Sequence, residues 1–215
     1  MAAPGFEDVV VGIAGTGSMG RAHASRWSQE GLKVVIGSRD PARAQRLAGQ
    51  CRGDVEGTSH AEMLKKANFI ILATPPGQAL ADFFDAHKDI IRGAGKCFVD
   101  LSVAFSRYGS PAVQPPPPYL STIEWLKDRF DDPSTCFVKA WANLMAASIA
   151  QNRKQPVEVA GDDKAKEIAF RMLTKVGFTP CDCGGVADVP KIEPGFHERR
   201  WKHPTHLAFN GANHP

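Results

Sequence analysis

Cysteine and tyrosine are scarce in this chain, and no charge sign dominates it. Five cysteines and two tyrosines occur among 215 residues, with 26 Lys+Arg against 23 Asp+Glu and a net charge of +3. The cysteines (Cys51, Cys97, Cys136, Cys181 and Cys183) are odd in number and scattered, which excludes a dense disulfide framework. Three of them fall inside apolar runs, as buried free thiols in a reducing compartment do, so a cytoplasmic location is expected. Cys181-x-Cys183 lacks the two-residue spacer of metal and redox pairs. Balanced charge gives no basic or acidic tail to hold nucleic acid or an anionic membrane. The most apolar run, Phe69–Ala73, is of strand length, far short of the ~20 residues of a spanning helix. Met1–Asp8 has no basic stretch leading into an apolar core, so no secretory leader is expected. Catalytic signatures are missing too. There is no Tyr-x-x-x-Lys pair and no Ser–His–Asp arrangement, so no catalytic side chain is assigned. His197, His203 and His206 lie in an irregular tail without recognisable partner ligands, and no metal site is assigned. His23, His60 and His87 fall on helical stretches and are read as surface or packing residues.

What is present is alternation. Val9–Ala14 is a continuous apolar run, as a parallel strand buried on both faces requires. A helix to about Glu30 follows, closed by Gly31. Leu32–Gly37 is the next strand, and Asp40-Pro41 reads as an N-cap followed by a first-turn proline. A short strand near Asp54–Glu56, a helix from Ser59, a strand over Asn68–Ala73, a helix over Gln78–Ile91 and a strand over Lys96–Leu101 continue the pattern. It breaks over residues 103–120, where five of the 16 prolines lie between Pro111 and Pro118, read as a stiff polyproline-type linker. It resumes with a helix over Ser121–Phe130, a strand over Thr135–Trp141, a helix over Asn143–Ala150, a strand over Pro156–Ala160, a helix over Asp162–Val176 and a strand over Phe178–Asp182. The expected class is α/β, a Rossmann-type doubly wound parallel sheet with a small C-terminal α/β lobe. Residues 1–120 form the expected nucleotide-binding domain, with the linker at its end, and 121–215 the small lobe.

Gly15-Thr16-Gly17-Ser18-Met19-Gly20 matches G-x-G-x-x-G directly after a strand and at the opening of a helix, the setting of a dinucleotide-binding turn. Gly15 permits the tight turn, Gly17 lets backbone approach a pyrophosphate, and Gly20 lets the helix pack on the strand. The second strand ends Gly37-Ser38-Arg39-Asp40. No carboxylate stands where NAD sites hold the ribose 2′-OH. Ser38 and Arg39 offer a hydroxyl and a guanidinium to a 2′-phosphate instead, and Arg43 lies one helical turn on, so NADP(H) is favoured over NAD(H). Ala73, Thr74 and Pro75 end one further strand and Ser102 follows another. Both places border the nicotinamide side, because ligands in such folds bind outside the carboxyl ends of strands.

Five segments occur in a familiar order: Gly15–Gly20, Gly37-Ser38-Arg39, Phe137-Val138-Lys139-Ala140-Trp141, Val159-Ala160-Gly161-Asp162-Asp163 and Gly177-Phe178-x-Pro180-x-Asp182. Together they resemble the NADP-dependent coenzyme F420 (deazaflavin) oxidoreductase family. The cytosolic domains of the six-transmembrane epithelial antigen ferric reductases are similar. The resemblance implies hydride transfer between NADP(H) and a flavin-type or deazaflavin ring held between the lobes of a homodimeric enzyme, with F420, FMN or FAD as candidate acceptors. By position it implies that Thr16, Ser18, Met19, Ser38, Arg39, Thr74, Pro75 and Ala140 line the NADP site, and that Trp141 sits near the nicotinamide or its partner ring. One departure stands out. The family pattern runs Lys-Ala-aromatic-Asn, whereas here Ala142 follows Trp141 and Asn143 comes one residue later, which implies an altered acceptor site. Two other readings compete. A reductase of a small imine or keto substrate shares the G-x-G-x-M-G loop but adds a large helical lobe, whereas only 85 residues follow Phe130 here and they read as α/β. A non-catalytic NADP(H) sensor or scaffold would need no acid–base pair.

Overall fold

The computed structural model describes residues 9–102, 115, 118–151 and 155–193. Most of the proline-rich linker and the tail histidines His197, His203 and His206 lie outside the described residues.

The strands are β1 (Val11–Ala14), β2 (Val34–Ser38), β3 (Val55–Ser59), β4 (Phe69–Leu72), β5 (Cys97–Asp100), β6 (Cys136–Ala140), β7 (Pro156–Gly161) and β8 (Thr179–Asp182). They form one eight-stranded sheet in the order β3-β2-β1-β4-β5-β6-β7-β8. Every neighbouring pair is parallel except β6 and β7. The α/β doubly wound expectation therefore holds, with a single antiparallel join. The order reverses at β1 and β4, where the chain crosses from one face of the sheet to the other, and such a reversal leaves a crevice at the strand ends. Strands after residue 121 continue the same sheet, since β6 pairs in register with β5.

The helices are α1 (Ser18–Gln29), α2 (Pro41–Ala48), α3 (His60–Lys66), α4 (Gln78–Ile91), α5 (Thr122–Phe130), α6 (Ala146–Ala150), α7 (Asp163–Lys175) and α8 (Val189–Ile192). Local sequence sets their starts. Asp40 accepts from the Arg43 amide, Ser59 from the Glu62 amide, and Ser121 with Glu124 makes a capping box. Two core layers result. Trp27, Leu47, Ile149 and Leu173 pack from α1, α2, α6 and α7 on one face of the sheet. Met63, Leu64, Phe84 and Leu126 pack from α3, α4 and α5 on the other. The second layer holds a phenylalanine cluster in which Phe98 and Phe137 stack at 5.5 Å and Phe84 meets Phe98 at 5.0 Å.

Two boundaries differ most from the sequence expectation. β3 runs to Ser59 because all five of its residues pair with β2. The helix expected from Asn143 starts only at Ala146. Trp141 has φ 55 and reverses the chain on leaving β6, and the Leu144 amide closes a turn on the Trp141 carbonyl. A left-handed conformation at a bulky residue is rare enough to need support from its surroundings.

Candidate functional site

The register sets Ala14 of β1 beside Gly37 of β2 and Leu72 of β4, so the turns leaving these strands converge. Between them opens a cavity of about 610 Å³. Its lining contains Gly15, Thr16 and Gly17 from the glycine turn, Ser38, Arg39 and Arg43 from the end of β2 and the start of α2, and Ala73, Thr74 and Pro75 after β4.

Each glycine of the turn meets a different constraint. Gly15 has φ 132, and a Cβ there would lie 2.5 Å from the Ala73 carbonyl oxygen. A Cβ on Gly20 would lie 2.2 Å from the Gly15 carbonyl oxygen, so helix and strand touch through it. Gly17 is the opposite case, with nothing within 4 Å of its would-be Cβ. No protein atom asks for glycine at position 17, and the open space suits close approach by a ligand. Gly17 is also the N-cap of α1, where no side chain caps the helix and no acidic residue sits in the first turn. The first-turn amides and the positive helix end are thus left for an anion.

At the far end of the cavity, Ser38 is nearly buried and its Oγ accepts from the Asp40 amide at 3.1 Å. Asp40 serves as the cap of α2 and stands 3.9 Å from Arg46. Its carboxylate is therefore engaged with its own helix. Arg39 and Arg43 are exposed. Thr74 Oγ1 donates to the Ala14 carbonyl at 3.0 Å, tying the β4 turn to β1.

The cavity also contains residues that sequence reading assigned to surface or packing. His60, at the start of α3, and His87, on α4, both line it, together with Ala79, Asp82, Phe83 and Ala86. His60 meets Phe83 edge-on at 5.1 Å and His87 at 5.9 Å. Its Nε2 is buried without a hydrogen-bond partner among the described residues. Burial, then the neighbouring His87 and Arg39, lower the His60 pKa to about 4, against a hydrogen bond to Gly37 that raises it. His60 is therefore neutral at pH 7. The signal for α4 was present in its sequence: positions 79, 82, 83, 86 and 87 make one helical stripe, and the polar Asp82 and His87 interrupt an otherwise apolar face.

Six expected site residues are not part of the cavity lining. Ser18 is exposed at the start of α1, Met19 packs against the core, and Gly20 is buried under the turn. Ser102 is buried, its amide donating to Asp100 Oδ1 at 2.8 Å. Ala140 ends β6 with no exposure. Trp141, expected beside the nicotinamide, is only 2% exposed and packs against His23 at 4.7 Å, Trp27 at 5.9 Å and Phe178 at 6.0 Å. The structure places it beneath α1 rather than on the cavity.

Beside Trp141 the ends of β5 and β6 are closed by charge. Lys139, fully buried, lies 2.8 Å from Asp100 and 3.0 Å from Glu193, and donates to the Ser102 carbonyl. Burial opposes its charge, but the two carboxylates outweigh burial and hold its pKa above the usual lysine value. Among the described residues no group of three His, Cys, Asp or Glu is placed to hold a metal ion. No helix there is long and apolar enough to cross a membrane.

Residues 10–103 match the family described as NADP oxidoreductase, coenzyme F420-dependent. The chain is 30% identical over 200 residues to the F420-dependent NADP reductase of Methanothermobacter marburgensis, covering 84% of this chain and 86% of that protein. It is 30% identical over 209 residues to metalloreductase STEAP3 of Rattus norvegicus, covering 93% of this chain but only 39% of the relative. The chain thus spans about two fifths of that metalloreductase. Among solved structures, a putative F420-dependent NADP-reductase from Arthrobacter sp. FB24 superposes with a TM-score of 0.70 at 23% identity, covering 84% of this chain and 86% of that one. At that identity the likeness concerns the fold.

Proposed function

The chain belongs to the family of coenzyme F420-dependent NADP oxidoreductases, and on that premise we propose that it transfers a hydride between NADP(H) and a flavin-like or deazaflavin acceptor. One observation carries the coenzyme half of this reading. The end of β2 presents Ser38, Arg39 and Arg43 to the cavity, while the only nearby carboxylate of that segment, Asp40, is used as a helix cap. Two guanidinium groups and a hydroxyl suit a ribose 2′-phosphate, which a carboxylate would repel.

The residues present fit NADP(H) in three further ways. The space over Gly17 is open, the N-terminus of α1 is uncapped, and His60 Nε2 stands unpaired at the wall of the cavity. When bound, the coenzyme supplies the two-electron hydride equivalent. Gly17 and the first turn of α1 would hold its pyrophosphate. Arg39 and Arg43 would hold the 2′-phosphate, and Thr74 and Pro75 would border the path toward the nicotinamide. A flavin-like acceptor demands positioning more than a side-chain acid, in keeping with the absence of an assigned catalytic residue. The proposed setting is a cytoplasmic homodimer, and no disulfide joins any of the five cysteines in the structure.

One observation favours a second reading, a coenzyme sensor without turnover. Trp141, which the resemblance sets near the nicotinamide or its partner ring, is buried. An anaerobic assay separates the two. NADPH should be oxidised when F420, FMN or FAD is added in turn, and turnover with at least one of them is expected. Tight NADPH binding with no turnover on any of the three would establish the sensor instead.

A further inference from the structure

Two of the five cysteines, none of them in a disulfide, are neighbours across strands. Cys97 opens β5 and Cys136 opens β6, and the parallel register sets them directly opposite one another. Adjacent strands lie ~4.8 Å apart, within the ~4.4–6.8 Å between Cα atoms that a disulfide spans. Both side chains enter the same core layer, close enough for each thiol to shift the other's ionisation. They stand at the amino ends of their strands, at the opposite end of the sheet from the coenzyme cavity, so the proposed reaction makes no use of them. We propose that Cys97 and Cys136 form a redox-active dithiol, a modification site that reacts with small peroxides and closes to a cross-strand disulfide.

The pair is asymmetric. Cys97 is 1% exposed and Cys136 is 5% exposed. Contact with the Cys97 thiol lowers the pKa of Cys136, and the charges of Lys164 and Lys127 add to this, against burial and the carboxylate of Asp162. The same contact, together with burial, pushes Cys97 well above the usual thiol range. Lys127 is itself paired with Asp162 at 2.7 Å, and the Cys136 thiol donates to the Lys96 carbonyl at 3.6 Å, a contact that favours its protonated form. Cys136, the more exposed of the two sulfurs, is assigned the attack and Cys97 the resolving step.

The thiolate of Cys136 attacks one peroxide oxygen. The O–O bond breaks, the departing hydroxide takes up a proton as water, and Cys136 is left as a sulfenic acid. The Cys97 sulfur then attacks the Cys136 sulfur. The S–O bond breaks, and its hydroxyl leaves with the Cys97 proton as a second water. The two thiols lose two electrons and the peroxide gains two. The other cysteines lack this arrangement. Cys51 contacts Ser25 Oγ at 3.8 Å and the Leu47 carbonyl at 3.4 Å, while Cys181 and Cys183 lie two residues apart at the end of one strand.

The test uses the full chain in native buffer. After hydrogen peroxide treatment, the remaining thiols are alkylated, and the digested protein is analysed by mass spectrometry. The expected product is a peptide pair joined through Cys97 and Cys136, released by dithiothreitol. A dione probe for sulfenic acid should label Cys136 in Cys97→Ser and leave Cys97 unlabelled in Cys136→Ser. Free, alkylated Cys97 and Cys136 after peroxide, oxidation confined to Cys51, Cys181 and Cys183, or a Cys97–Cys136 bond that forms only in urea would overturn the dithiol. A probe adduct on Cys97 in Cys136→Ser would overturn the assigned order of attack.

Discussion

The carboxyl ends of β1 and β2 border an open cavity, with solvent-exposed arginines following β2, whereas those of β5 and β6 carry a lysine with no exposure between two buried carboxylates. The two regions belong to one sheet and face the same way, yet they handle polar groups in opposite fashion. In the first, the helix amides at Gly17, the guanidinium groups of Arg39 and Arg43 and the imidazole of His60 have few or no protein partners. In the second, Lys139, Asp100 and Ser102 are bonded to one another, and Glu193 is held by the Lys139 charge at 3.0 Å although its buried carboxylate oxygens make no hydrogen bond among the described residues. Unsatisfied polar groups near a cavity are available to a ligand. Mutually satisfied ones hold the fold. Substitutions in the open region should therefore change coenzyme binding at nearly constant stability, and those in the closed region should do the reverse.

The largest effect is expected at Lys139. Lys139→Met leaves Asp100 and Glu193 buried without their cation, and breaking a buried pair in this way costs about 3–5 kcal/mol. Urea denaturation should show a large fall in midpoint, while the folded fraction keeps its NADPH-over-NADH preference. A stable Lys139→Met protein with altered preference would erase the distinction between the regions.

Next comes His23, fully buried on the inner face of α1 with its Nδ1 accepting from the Trp27 indole N–H at 3.2 Å. Burial lowers its pKa from 6.5 to about 3. A histidine depressed in the folded state takes up its proton more readily when unfolded, so its contribution is whole above pH 6.5 and is lost as pH falls toward 3. By pH 4.5 the loss should reach about 3 kcal/mol, at about 1.4 kcal/mol per pH unit. His23→Leu leaves the Trp27 N–H unpaired at every pH, which shifts stability by a constant, so the slope is the readout. Chemical denaturation between pH 7 and 4.5 should give a shallower slope for His23→Leu than for the natural protein. Equal slopes would mean that His23 is not held neutral by burial.

A smaller change, of another kind, is expected in the open region. Arg39→Ala should weaken NADPH binding by roughly 10- to 100-fold, the worth of a charged hydrogen bond, with NADH binding unchanged and the melting temperature nearly so. Arg43→Ala should weaken NADPH by only about two- to fivefold, as expected for an exposed ion pair. Titration calorimetry with both coenzymes checks both, and a loss of stability matching the loss of affinity would place these arginines in the scaffold.

The same division explains what could be read in advance. The open region is written locally. Gly15–Gly20, Ser38-Arg39 and Asp40-Pro41 each lie within a few residues of one strand end, so spacing alone carries their roles. The alternation of apolar runs and capped helices likewise gave nearly every element, because each buried strand and each cap is a local pattern. His60 and His87 were missed because they come from two helices on the other face of the sheet and meet the motif only through the crossover after β3. The closed region is not local at all. Lys139 finds Asp100 and Glu193 from distant parts of the chain, which no spacing rule links. The resemblance sets Trp141 near the nicotinamide or its partner ring, whereas in the structure it has a left-handed backbone and packs beside His23 and Trp27. Backbone handedness at one residue leaves no mark in the sequence when that residue is not glycine.

The central claim is that the end of β2 selects the 2′-phosphate, and direct titration of the natural protein with NADPH and with NADH tests it most plainly. A tighter dissociation constant for NADPH by roughly 10- to 100-fold is expected, since Arg39 and Ser38 then have a charged partner. Equal affinity for the two coenzymes would contradict the assignment of Ser38 and Arg39.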